Sequence, residues 1–489
     1  MARRRLLPVT MLLLAACGGL SFPEPTTTGP ATTTTTTGAT IPTTVPGTTT
    51  TLGTTTLPDG GAAGIGDPYF PLLGNPGFDV EHYSIALTVD ETLRAIVATT
   101  VIDASATADL AWFTLDFVGM DIDDITVDGA PAGFERDGHD VIVALPNTIP
   151  AGEGFSVEVA YHGTPTTIGV DSIGIQAGWT TVGDTAYVFA EPEAAHTWFP
   201  GSDHPSDKAS FTISATVPSG LTAVSNGELV AETEADTTTT FTWDMPDPMA
   251  TYLATLAIGD YVLSESDGPD GVVLRDYVPA AMPSPPAAFS RTAEMLTLFT
   301  EWFGPYPFEQ YGHVIVPGFP AAMETQTMTM MGEDVVDNEV VAHELAHQWF
   351  GDSVTPATWR DIWLNEGFAT FGEFLWVEEE YGAAAMEAYA KTLHTALGGQ
   401  TLRPISDPGV GELFAAGVYW RGGLTLYALR KEVGDDLMKD ILTTYHARFR
   451  HGNAATADFI AVAEELSGRD LGAFFAAWLD EVPLPPYPA

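Results

Sequence analysis

His343-Glu344-Leu345-Ala346-His347-Gln348-Trp349-Phe350-Gly351-Asp352, followed by Trp363-Leu364-Asn365-Glu366-Gly367-Phe368-Ala369, decides how this chain is read. On a helix, residues four apart lie one above the other on the same face. His343 and His347 then offer two imidazole nitrogens to one zinc ion, with Glu344 between them as a general base. Glu366, nineteen residues past His347, would supply a carboxylate as third ligand. Three protein ligands leave a fourth position open, and an open position separates a catalytic zinc from a structural one.

A His-Glu-x-x-His string also arises on ordinary helix surfaces, so its surroundings matter. Residues 334–342 lead in with helix-compatible apolar spacing and acidic residues suited to a first turn. Gly351 stands where a helix C-terminus favours glycine. A second helix is expected over Asp361 to Tyr381, closed by Gly382, with Glu366 in its first turns. Two helices, each presenting ligands to the other, form a plausible metal cage.

These residues resemble the M1 family of zinc aminopeptidases, and further blocks carry the same resemblance. Ala321-Ala322-Met323-Glu324-Thr325 stands where the family has Gly-x-Met-Glu-Asn. Tyr419-Trp420-Arg421-Gly422 is similar to its Tyr-x-Lys/Arg-Gly element. Glu191-Pro192, with residues 199–205 and Lys208-Ala209, resembles its amino-terminal-domain signature, and matching blocks run from about Glu191 to Leu484. The resemblance implies that Tyr419 hydrogen-bonds the oxyanion formed on attack. Read without the family, Tyr419 is a packed aromatic on a helix beginning near Val418. It also implies that Glu191 and Glu324 hold the free α-ammonium of a peptide, with Met323 and Ala322 beside the substrate. A cation brought next to zinc needs compensating negative charge. Ala321 and Thr325 depart from the family pattern, which puts the shape of the substrate edge in question.

The fold expected is multidomain α+β. An antiparallel β domain over 67–264 would precede a mainly α, thermolysin-like zinc catalytic domain over 265–489. Short alternating runs such as residues 83–89, 141–145 and 155–159 read as strands. Residues 251–260 resemble the strand that closes the β domain in the family. The proline-rich segment from Pro279 to Pro286 would open the second domain, followed by a helix near 287–303, a short strand near 313–317, and helices beyond. The helices near the C-terminus resemble the family's last catalytic helices, and a cleft open to longer peptides is expected.

Composition bounds the rest. The chain has 489 residues and a formal net charge of −47, from 65 acidic against 18 basic residues. That balance argues against nucleic-acid binding and is consistent with work in a saline medium. Arg3-Arg4-Arg5 precedes an apolar stretch too short to span a bilayer, ending in Leu14-Ala15-Ala16-Cys17-Gly18. This reads as a lipoprotein signal peptide over 1–17, with Cys17 lipid-modified, and an exported protein anchored at the outer face of a bacterial cell membrane. Cys17 is the only cysteine, so no internal disulfide can form. Residues 18–66, rich in threonine, proline and glycine, read as a disordered stalk.

Three other functions share parts of this pattern. A zinc endopeptidase would use the same histidines but has no evident use for Glu191 and Glu324. Epoxide hydrolysis accompanies peptidase activity in leukotriene-processing relatives. A catalytically inactive surface-binding lipoprotein would need neither Glu344 nor Tyr419. His196 and His204 lack ligand spacing and read as packing residues.

Overall fold

A computed structural model describes residues 64–170 and 172–488. The signal peptide, Cys17 and the stalk as far as residue 63 lie outside the described residues.

Strict alternation builds the β domain. Along Lys208–Pro218 every second residue is buried, so one side of the strand faces a core and the other does not. That strand sits inside an eight-stranded sheet ordered Glu228–Glu234, Thr238–Ala250, Lys208–Pro218, Phe78–Val89, Ile96–Ala106, Gly154–Gly163, Asp121–Val127 and Ala130–Pro131. Every neighbour in it is antiparallel except Phe78–Val89 with Lys208–Pro218, which run parallel. A second sheet of five strands holds Thr222–Ser225, Leu256–Gly259, Thr185–Phe189, Ile175–Val182 and Thr167–Val170, in that order. The segment 251–260 is not one closing strand. A 3-10 turn, Thr251–Leu253, precedes the short strand Leu256–Gly259, which lies between two partners.

A boundary at 264/265 would cut a strand. Tyr261–Asp267 pairs with Val273–Pro279, which runs parallel to Gln310–Val316. Thr329–Gly332 and the edge strand Ala322–Met323 complete this sheet of the catalytic domain. The junction therefore falls before Tyr261, and Pro279–Pro286 lies within the second domain. Six of the seven residues of Tyr261–Asp267 are exposed, so the strand has no apolar stripe to reveal its allegiance. The stalk boundary shifts as well, because Ile65 N donates to Leu73 O at 3.1 Å and joins Gly64–Gly66 to the folded part.

The catalytic helices are α1 (Thr292–Phe303), α2 (Asn338–His347), α3 (Trp363–Tyr381), α4 (Ala383–Leu397), α5 (Gly422–Val433), α6 (Asp435–Phe449) and α7 (Thr456–Ser467). Asp337 caps α2, its carboxylate accepting from Val340 N at 2.9 Å. The helix ends at His347, so Gly351 is not its cap. Gly351 instead turns the chain at φ 134°, where a Cβ would come within 3.1 Å of His347 Nδ1. Two glycines let α3 approach its neighbours. A Cβ on Gly372 would lie 2.6 Å from Ala346 Cβ of α2, and one on Gly367 would lie 2.7 Å from Gly422 Cα of α5. Only hydrogen fits at such crossings. α3 is thereby drawn against both the His-bearing helix and the segment carrying Tyr419.

Candidate active site

α2 and α3 bring the three expected metal ligands together. The donor atoms of His343, His347 and Glu366 all lie within 4.8 Å of one another, and all three side chains are buried. Glu366 Oε2 is 3.2 Å from His343 Nε2 and 3.5 Å from His347 Nε2. The opposite ring nitrogens are engaged from behind. His343 Nδ1 is 2.7 Å from Glu373 Oε1, and His347 Nδ1 is 3.1 Å from Phe350 O. An acceptor at Nδ1 fixes the proton there and leaves the Nε2 lone pair for a metal. Burial raises the Glu366 carboxyl, but the protons that His343 and His347 carry until a metal takes Nε2 outweigh it and hold the group down at about 2. Two neutral imidazoles, one ionised carboxylate and an oriented outer shell fit a single four-coordinate catalytic zinc.

Glu344, between the histidines, is buried with Oε2 unpartnered. It forms a second cluster with Glu324 and His347, whose ligand atoms again lie within 4.8 Å of one another. Burial pushes Glu344 up to about 8, opposed by the two histidines and reinforced by Glu324 and Glu366. Tyr419 stacks on His343, ring centroids 5.9 Å apart and planes 17° from parallel. It sits not on a regular helix but in a π-helical turn, Gly417–Arg421, that runs into α5. Such turns recur at functional sites because the extra residue re-aims a side chain. Fully buried Arg421 anchors the turn, donating from Nη2 to Ala477 O at 3.0 Å and Glu481 O at 2.5 Å.

Glu324 follows the edge strand Ala322–Met323. Met323 is buried to 1% exposure, while Ala322 is half-buried. Gln348, beside His347, fixes the block. Its Nε2 donates to Glu324 O at 3.1 Å and its Oε1 accepts from Thr327 N at 2.8 Å, with Thr327 left-handed at φ 65°. Thr325, where the family has asparagine, hydrogen-bonds to Met328 O through its hydroxyl. Glu191 arrives from the β domain, and burial, then Glu324, Glu366 and Glu344, raise its carboxyl well above the usual range. Glu324 is raised by burial and Glu366, with His347 opposing. Glu191 Oε1 and Glu324 Oε1 are buried with no hydrogen-bond partner. These carboxylates face a site short of positive charge.

Several residues have contacts at the site that the sequence alone did not assign. Glu373 lies seven residues after Glu366 on the same face of α3, a spacing that could have marked it, and Tyr389 OH donates to its other oxygen at 2.8 Å. Tyr252 OH links the domains, donating to Gly351 O at 3.2 Å and accepting from Asn365 Nδ2 at 3.2 Å. Lys208 of the β domain donates to Asp352 O at 2.6 Å and Ser353 O at 3.1 Å. Only the fold shows these contacts. His196 and His204 are buried against Asp203 and Asp67 respectively, away from the metal ligands' cluster.

Comparison with known proteins agrees with this geometry. Residues 79–253 match the peptidase M1 N-terminal domain, and residues 287–478 match the peptidase family M1 domain. The chain is 26% identical over 461 residues to Aminopeptidase M1 of Arabidopsis thaliana, covering 84% of this chain and 51% of that protein. It is 28% identical over 405 residues to Aminopeptidase N of Streptomyces lividans, covering 75% and 46%. The chain thus spans about half the length of these relatives. A crystal structure of an M1 zinc metallopeptidase from Deinococcus radiodurans superposes with a TM-score of 0.83 at 33% identity, covering 87% of this chain and 99% of that one. A mutant of the same enzyme, bound to a Tyr-Ser-Ala substrate, matches with TM-score 0.83 at 32% identity. With both domains matched in order and the metal ligands in one cluster, the chain belongs to peptidase family M1.

Proposed function

We propose that this protein is a zinc-dependent aminopeptidase that removes amino-terminal residues from peptides. The observation that carries the proposal is the pair of unpartnered buried carboxylates, Glu191 and Glu324, beside the His343–His347–Glu366 donor set. A site meant only for a dication has no need of them. A peptide's α-ammonium does, since a cation entering a buried site must be compensated.

His343, His347 and Glu366 would hold the zinc, which would supply Lewis-acid polarisation of the scissile carbonyl and a water activated near neutral pH. Glu344 accepts the proton of the attacking water and passes it to the departing amine. Tyr419 donates to the oxyanion. Burial, then Glu366, Glu191 and Glu324, keep its phenol protonated and therefore a donor. The edge strand Ala322–Met323 has a free side along which substrate backbone can pair. Glu191 and Glu324 then set the register by fixing the amino terminus.

Glu344→Gln keeps the shape of the side chain and removes the base. The expected loss in kcat is about 10²–10⁴-fold with one zinc per chain retained. Chelation should abolish wild-type turnover and added zinc should restore it. Wild-type-like turnover in the variant would reject Glu344 as base.

We further propose, from the sequence of residues 1–18, that the enzyme is exported and anchored to the bacterial membrane through lipid on Cys17. Labelled fatty acid should enter the wild-type chain and not Cys17→Ser. Equal labelling of both would reject the anchor.

A further inference from the structure

The segment Gly64–Asn75 runs ahead of the first strand and touches both domains. Asp67 closes a tight turn, accepting from Tyr69 N at 2.7 Å and Phe70 N at 2.9 Å. The same carboxylate meets His204 Nε2 at 3.1 Å on the β domain and Trp359 N at 3.3 Å on the catalytic domain. Phe70 packs edge-on to Trp359 at 6.4 Å, and Trp359 edge-on to Tyr252 at 5.0 Å. Tyr252 is the residue held by Asn365, the neighbour of Glu366. The segment is a strap across the domain seam.

Tyr69 extends the strap to a third place. Its hydroxyl donates to Asp407 Oδ1 at 2.7 Å and accepts from Gly409 N at 2.8 Å. Asp407 also pairs with Arg360 at 3.2 Å, whose Nε donates to Ser406 O at 3.1 Å. Arg360 belongs to the 3-10 turn Trp359–Asp361 that feeds α3, the helix of Glu366. Asp407 and Gly409 belong to the loop that leads from α4 into the turn of Tyr419. One phenol therefore bridges the approaches to a metal ligand and to the oxyanion donor.

That part of the loop is also held by Arg360, which reaches Asp407 and Ser406, and by Ser406 Oγ, which donates to Asp480 Oδ1 at 2.5 Å. Ile405 N donates to Leu479 O at 2.8 Å behind it, and Leu413 and Phe414 are buried ahead of it. Between these anchors, Val410 and Gly411 line a cavity of about 160 Å³ together with Phe70, Ile168, Pro192 and Glu193. A cavity supplies no packing contacts on its open side. The two hydrogen bonds of Tyr69 take their place.

We propose that Tyr69 is a positioning residue for Tyr419: by pinning the loop at Asp407 and Gly409, it sets where the π-helical turn begins and so where the catalytic phenol points. The inference rests on the role of Tyr419 given above, and a double-mutant cycle tests the two separately. Tyr69→Phe keeps the ring and removes the hydroxyl. On an alanyl-anilide substrate its kcat should fall about tenfold, with KM changed less than about twofold, since a small misplacement of a catalytic group costs rate rather than binding. Bound zinc per chain and melting temperature should stay near wild type. In a Tyr419→Phe background the same change should lower the residual kcat less than about twofold, because residues acting as a unit are not additive. Asp407→Asn, which weakens the same contact from the other side, should repeat this pattern and carries the cycle if Tyr69→Phe folds poorly. A tenfold loss in both backgrounds, or no loss in the wild type, overturns the positioning role while leaving Tyr419 catalytic. A Tyr419→Phe variant with full kcat would overturn the role of Tyr419 and the positioning with it.

Discussion

Glu373 shows how much of a metal site lies behind its ligands. Its carboxylate accepts from His343 Nδ1 at 2.7 Å and is itself held by Tyr389. Removing such a partner frees the ring to rotate and lowers its basicity, typically at a cost of about 10–100-fold in metal affinity. Glu373→Ala should therefore lose zinc to a competing chelator at about 10–100-fold lower concentration, with the fold intact by circular dichroism. Unchanged zinc affinity would mean that His343 is oriented by packing alone. At this scale the sequence was informative wherever a motif fixes spacing: His343, Glu344, His347 and Glu366 are in place, and Glu324 and Glu191 converge on them. Tyr252, Lys208 and Gln348 fall in the matching blocks, but their roles were not legible, because the backbone groups they hold are brought near only by the packed domains. Met323 was singled out beside Glu324, yet its side chain is core.

The site is assembled by helix crossings that tolerate no side chain. Gly367 touches Gly422, and Gly372 touches Ala346, through gaps that a methyl group would close to below 3 Å. Gly367→Ala must push α3 away from α5, an overpacking cost of about 1–3 kcal/mol. The melting temperature should drop accordingly, and activity should fall further than the folded fraction does, because Glu366 and Tyr419 ride on the two separated segments. Activity that tracks the folded fraction alone would show that the crossing serves stability only. Helix existence was legible from periodicity and acidic first turns, but ends were not. Gly351 read as a cap and is instead a turn required by the nearness of His347. The boundary expected at 264/265 cuts the strand Tyr261–Asp267, because exposure leaves it no pattern and pairing is decided by a partner further along the chain.

For the molecule as a whole, charge is the dominant feature. A net −47 repels itself in the compact state, and added salt screens that repulsion over about 10 Å at 0.1 M. The melting temperature should rise from low salt to molar salt, and a flat or falling response would remove the case for a saline habitat. Acidity should act the same way. Burial raises Asp116 and Asp207, each from 3.8 to about 7. A carboxyl with a raised folded value binds its proton more tightly folded than unfolded. Stability is then greatest below 3.8, falls as pH rises toward about 7, and is flat above, as far as these two groups decide it. Asp207→Asn should flatten part of that slope in melts taken between pH 5 and pH 8. The sheet order, with its one parallel pair joining Phe78–Val89 to Lys208–Pro218, was not legible, because alternation names strands without naming neighbours.

The central claim is that buried Glu191 and Glu324 make this zinc site one for free amino termini. It is tested most directly by comparing kcat/KM for alanyl-, leucyl- and arginyl-anilides with their N-acetylated forms on the same enzyme preparation. Acetylation removes the ammonium and leaves the scissile bond, so turnover of the free amines alone, abolished by chelation, is the predicted result. Comparable cleavage of the acetylated substrates would contradict the account, leaving a zinc peptidase whose two unpartnered carboxylates serve some other purpose.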